Sequence, residues 1–211
     1  MFDVMWTLLL GIIGGIISSV IVSRVFMIQG EYQQQVKFVE SIIRKLGMIA
    51  GYLSACRAVF EVLYDQDIRI ESEMKEKGYK CEMEYYAANR DKDWISVKEI
   101  LKTFKSYLSK AVETANEEIL NSNITDRPLN DLLRDISEYL HNISSVKELN
   151  FSVINDFRKR EKELLEKFET CKRISGKQLA KLVLKDRIMI ALYILIGVLV
   201  MCTCIAFVLG L

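Results

Sequence analysis

Two unbroken apolar stretches bracket a middle in which apolar residues recur every third or fourth position. Val4 to Ser23 runs 20 residues without a charge, and Ile188 to Leu211 runs 24. A helix rising ~1.5 Å per residue needs about 20 such residues to cross ~30 Å of hydrocarbon, so both stretches predict transmembrane helices. Each is apolar on every side, which suits lipid better than the half-wetted surface of a small domain. A cleaved signal peptide is a poorer account of the first, because its only early charge is the acidic Asp3 and it lacks a positive leader.

Between them the spacing predicts helices throughout. Val39, Ile43, Leu46, Ala50, Leu53, Phe60 and Leu63 form one stripe, which continues directly from the first apolar helix. Asp65 to Asp91 is charged and less periodic, with Gly78 as a helix end. Val97, Leu101, Phe104, Leu108, Ala111, Ala115 and Ile119 form a second stripe, stopped by the loop Asn121 to Pro128. Leu129, Leu132, Leu133, Ile136 and Leu140 make a third, and Val146, Leu149, Val153, Phe157, Leu164 and Phe168 a fourth. A break is expected at Asn142 to Ser145, because Ser145 with Glu148 fits a capping box. An even number of crossings also returns the chain to the bilayer. The prediction is therefore an all-α membrane protein: spans at 4–23 and 188–211, and an antiparallel bundle over 24–187. Its helices are expected near 24–64, 93–120, 129–141 and 146–172, the first and last continuing the spans.

Charge orients this scheme. All 29 Lys and Arg lie between Arg24 and Arg187, as do all acids but Asp3. Arg24, Lys37, Arg44 and Lys45 follow the first span; Lys172, Arg173, Lys177, Lys181, Lys185 and Arg187 precede the second, opposed locally by Asp186. The positive-inside rule puts the middle in the cytoplasm and both termini outside. Cys56, Cys81 and Cys171 are then free thiols in a reducing compartment, and the sequons at Asn123, Asn142 and Asn150 face away from glycosylation. A net charge of +1 gives no concentrated basic face, which excludes a nucleic-acid binder.

Small residues carry the most specific pattern. Gly11, Gly15, Ser19 and Ser23 fall at successive i, i+4 positions, a ridge that lets a second apolar helix approach closely. Packing on the second span of the same chain, near Gly197, is the plainer expectation, and self-association the sharper one. Gly47 and Gly51 repeat the motif in the middle segment. Each glycine costs ~1 kcal/mol against alanine there, which points to a tight crossing with Ala111 and Ala115 of an antiparallel neighbour. Lys177, Lys181 and Lys185 share one face and, with Arg187, form a basic segment suited to lipid headgroups.

No catalytic, cofactor or metal site is predicted. His141 stands alone, and Cys202 and Cys204 lie roughly 200° apart around their helix. Glu161, Glu163, Glu166 and Glu169 alternate with Lys and Arg as on a solvated face. Tyr85, Tyr86 and Trp94 form a satellite apolar cluster. These readings leave a non-enzymatic, membrane-anchored scaffold or sensor. Its expected partners are the lipid bilayer, further copies of itself, and an unknown cytoplasmic protein or small ligand. The alternative is a small oligomeric channel or membrane-perturbing effector gated by the bundle. It is weakened because neither span carries the ionisable residue that ion pathways expose.

Overall fold

In the computed structural model, residues 2–81, 84, 85, 88, 92–146 and 149–209 are described, with side chains at these positions except 2–7, 9, 92–96, 98 and 206–209. Among them are six helices and no strand: α1 (Phe2–Lys77), α2 (Lys92–Leu120), α3 (Arg127–Ser145), α4 (Phe151–Cys171), α5 (Gly176–Lys185) and α6 (Arg187–Leu209). The chain divides into two compact units, one of residues 1–36 with 172–211 and one of 37–171. Glu82, Tyr86 and Glu148 lie outside the described residues, as do the last two residues of the second apolar stretch and the side chain of Trp94.

α1 has no interior break, and it runs well beyond the expected end near residue 64. Lys77 and Arg69 flank Glu73 at 3.5 and 3.9 Å, pairings four residues apart that support a charged helix in water. It stops at Gly78, whose φ of +71° is open to glycine and strained for other residues. The Tyr79 N–H donates to the Met74 carbonyl at 3.0 Å across that turn, closing a Schellman-type cap.

The second unit is built on the stripe Val39, Ile42, Leu46, Ile49, Leu53 and Cys56, all without exposed surface. α2 runs antiparallel to this part of α1: Lys45 pairs with Glu118, and the Tyr52 ring lies 5.9 Å from that of Tyr107. α4 meets α1 through Phe60 and Phe151, 6.1 Å apart, and through Arg57, which donates to Asn155 at 3.0 Å. α3 buries Leu129, Leu132, Leu133, Ile136, Leu140 and Ile143. Each such side chain contributes roughly 1.5–3 kcal/mol when fully buried. α3 opens where the proline loop predicts it to: Asp126 caps the helix by accepting the Leu129 N–H at 3.2 Å, just ahead of Pro128.

Two expected boundaries are corrected. α3 continues through Ser145, and the next cap is Asn150, which accepts the Val153 N–H at 3.0 Å. Asn150 therefore starts α4, where a Ser145 capping box was expected. The last helix of the second unit also fails to continue into the second apolar helix. α4 ends at Cys171, and a separate ten-residue helix, α5, intervenes before α6. Ser175 caps it, accepting the Gln178 N–H at 3.2 Å.

Candidate functional site: a charged collar and two small-residue ridges

α1 and α6 are long and apolar enough to cross a membrane, and only 6% of the apolar window of each is buried. That exposure is what separates them from the core helices of a soluble domain. In the first unit they are joined by α5. Its Val183 is buried with Ile28 of α1 and Met189 of α6, and Ile21, Val25, Leu179, Leu182 and Leu192 pack around them.

One polar contact sits in this apolar collar. Arg24 Nε donates to Asp186 Oδ1 at 3.2 Å, and Nη2 donates to Oδ2 at 2.7 Å. This two-pronged geometry suits a planar guanidinium and a carboxylate. The side chains are 19% and 14% exposed, so the contact is largely shielded. Asp186 has a second task. Its N–H closes α5 on the carbonyls of Leu182 and Val183, while its Oδ1 accepts the Met189 N–H at 3.1 Å and opens α6. The Arg24 hydrogen bond, helped by the backbone N–H groups of Met189 and Ile188, holds the carboxyl below the usual aspartate range against the opposing effect of burial. A fixed, paired carboxylate of this kind is a structural joint rather than a base or nucleophile.

Sequence reasoning read Asp186 only as a local counterweight to the lysines. A signal was there. Arg24 is the first charge after one apolar stretch, and Asp186 is the acid nearest the start of the other. Opposite charges at the same ends of two helices expected to lie side by side are candidates for pairing.

Lys177, Lys181, Lys185 and Arg187 are all exposed, and Leu179, Leu182 and Val183 occupy the opposite side of α5. The small-residue ridges are placed otherwise than the plainer expectation had them. α1 turns Ile13, Ile17 and Ile21 toward α6, whereas Gly11, Gly15, Ser19 and Ser23 are exposed on another face. A methyl group added at Gly11, Gly15 or Gly197 would meet nothing within 4 Å. Gly47 and Gly51 are likewise exposed and open. Ala115 is buried and Ala111 half-buried as part of α2's packing, but no glycine of α1 stands at the crossing. Leu46, Ile49 and Leu53 take the inward positions, which leaves Gly51 roughly 140° round the helix from Leu46. The bulky Tyr52 and Lys45 make the contact in their place.

Elsewhere, a groove of about 210 Å³ lies between α1 and α2, floored by Met48, Tyr52, Tyr107 and Ala111 with Lys45 and Lys110 at its rim. Glu161 departs from the expected solvated face. It is half-buried, and burial pushes its carboxyl above the usual range. Tyr85, the one member of the expected cluster whose side chain is described, packs edge-on against Tyr79 at 5.6 Å and donates to Glu73 at 2.9 Å, at the end of α1. Among the described residues no three His, Cys, Asp or Glu side chains are grouped to hold a metal.

No protein-family model, curated protein or solved structure matches the chain. The functional reading rests on the geometry alone.

Proposed function

We propose that this protein is a non-enzymatic, membrane-anchored helical scaffold or sensor. Its spans at 4–23 and 188–211 self-associate, and its central segment binds a cytoplasmic partner. The observation that carries the reading is the outward ridge of Gly11, Gly15, Ser19 and Ser23, which the chain's own second apolar helix leaves uncovered. In lipid there is no hydrophobic incentive for helices to meet, so close approach over small residues is the available driving force. Lipid and another copy are then the surfaces such a ridge can face. The asymmetry of Lys and Arg supports a cytoplasmic middle and extracytoplasmic termini. The groove at Tyr52 and Tyr107 is the natural place for the partner.

Native mass measurement of the detergent-solubilised chain tests the central claim. The wild type is expected as an oligomer, and Gly15→Leu shifts it toward monomer by weakening association on the order of 1 kcal/mol or more. Identical masses and melting for the two proteins would sink the reading. The channel alternative is weighed by single-channel recording in reconstituted bilayers, where silence is expected because the spans carry no Asp, Glu, Lys, Arg or His.

A further inference from the structure

The first unit contains a recess that the collar and the ridge leave unexplained. Between α1 and α6 runs a laterally open groove of about 340 Å³, walled by Leu10, Ile13, Ile17, Ile196, Leu199 and Val200. Ile21 belongs both to its lining and to the apolar collar, so the groove ends where Arg24 and Asp186 begin. From Leu10 to Ile21 the helix rises about 16 Å, close to half of a ~30 Å hydrocarbon core. The recess is thus about one leaflet deep, with an uncharged lining and Arg24 one helical turn beyond its Ile21 mouth. Its Thr203 hydroxyl is turned back on the Val200 carbonyl at 2.8 Å and asks nothing of an occupant. An apolar void in a bilayer forfeits dispersion contact along its whole wall, and a flexible hydrocarbon chain is what the surroundings supply to fill it.

The mouth narrows the choice of lipid. Arg24 and Asp186 neutralise each other, and the one negative charge of the exposed Glu31, 4.0 Å from Arg24, is outweighed by the exposed Lys177, Lys181, Lys185 and Arg187. We propose that the groove between α1 and α6 seats an acyl chain of an anionic phospholipid whose headgroup rests against α5 and Arg187. The inference rests on the membrane-spanning reading above. A second copy of the chain is the rival occupant, but the surface of α1 suited to close helix approach is the glycine ridge, on a different face from the groove.

The test uses full-length protein, delipidated in mild detergent and offered phosphatidylglycerol or phosphatidylcholine, with bound lipid counted by native mass spectrometry. Wild type is expected to retain phosphatidylglycerol in preference to phosphatidylcholine. Gly14 lines the groove and a Cβ there would meet nothing within 4 Å, so Gly14→Leu builds a side chain into the recess and is expected to lose both lipids. Ser18→Leu, on the same wall, serves as an independent second filler. Val20→Leu stands outside the lining and retains them. Lys181→Gln with Lys185→Gln keeps the chain site but lowers the preference for phosphatidylglycerol by roughly fivefold per lysine. Equal retention by wild type and both groove-filling variants overturns the site. Equal binding of the two lipids by wild type overturns its charge selectivity. A change in oligomer mass on Gly14→Leu with lipid binding intact assigns the groove to a second copy and overturns the proposal. Alkaline carbonate extraction separates the two levels: release of the protein sinks the spanning reading itself, whereas retention without lipid binding sinks the lipid site alone.

Discussion

The Arg24 guanidinium and the Asp186 carboxylate, 162 residues apart in the chain, meet through two hydrogen bonds of 3.2 and 2.7 Å at the start of α6. Asp186 is simultaneously the last cap of α5 and the first cap of α6, so the pair ties three helices at one point. Charge and capping are separable there, because asparagine keeps the cap and loses the charge. Asp186→Ala is expected to destabilise the protein more than Asp186→Asn, by roughly 1 kcal/mol, the worth of the cap. Equal melting of the two variants would show that the cap is idle.

The same carboxyl sets a pH dependence. Its folded-state pKa lies below the ordinary 3.8, so the unfolded chain binds the proton more readily than the folded one. The stabilisation is full above that ordinary value and is lost as pH falls through the depressed folded value. Thermal melts of wild type and Asp186→Asn are therefore expected to differ at neutral pH and to converge in acid, below about pH 4. A gap that persists unchanged into strong acid would remove the ion pair as its cause.

Tyr139 is 2% exposed, and its hydroxyl has no hydrogen-bond partner among the described residues. Its ring packs edge-on against Phe157 at 5.9 Å, which a phenylalanine would preserve. Burial, with Glu161 as a lesser cause, pushes the phenol well above its usual range. Tyr139→Phe removes an unsatisfied buried polar group and is expected to stabilise the second unit by about 1 kcal/mol or more. A loss of stability in urea titration would reveal a partner for the hydroxyl.

Gly47 and Gly51 sit in the interior of α1, exposed and with open space where a methyl would go. Gly47→Ala and Gly51→Ala are each expected to raise stability by about 0.4–1 kcal/mol, by reducing the freedom of the unfolded chain. A drop in stability on chemical denaturation would instead place a closely packed surface against that face.

Cys81 is exposed and Cys56 buried, which makes Cys81 the reporter of orientation once Cys171, Cys202 and Cys204 are replaced by serine. An impermeant thiol reagent is expected to label it only after cells are permeabilised. Labelling of intact cells would reverse the proposed topology and reopen Asn123, Asn142 and Asn150 as glycosylation acceptors.

What the chain decides locally was legible in its residues. The two uncharged stretches, the loop ending at Pro128, the inward face through Val39, Leu46 and Leu53, and the stop at Gly78 all follow from short-range effects. These are the 3.6-residue period, the missing N–H of proline and the positive φ open to glycine. Periodicity assigns residues to a face but does not say what that face meets. Gly11 and Gly15 were readable as a ridge, yet only the packing of Ile13, Ile17 and Ile21 toward α6 turned that ridge away from the chain's own partner helix. Gly47 and Gly51 were assigned to a crossing with α2 that the larger Tyr52 and Lys45 make instead, because burial of Ile49 and Leu53 set the rotation of α1. The joint at Asp186 depends on Arg24 at the far end of the sequence, and a local pattern carries no record of which distant charge will arrive beside it. Helix type and phase are properties of neighbours along the chain, whereas the partner of a face or a charge is settled when burial of the apolar collar brings distant helices into contact.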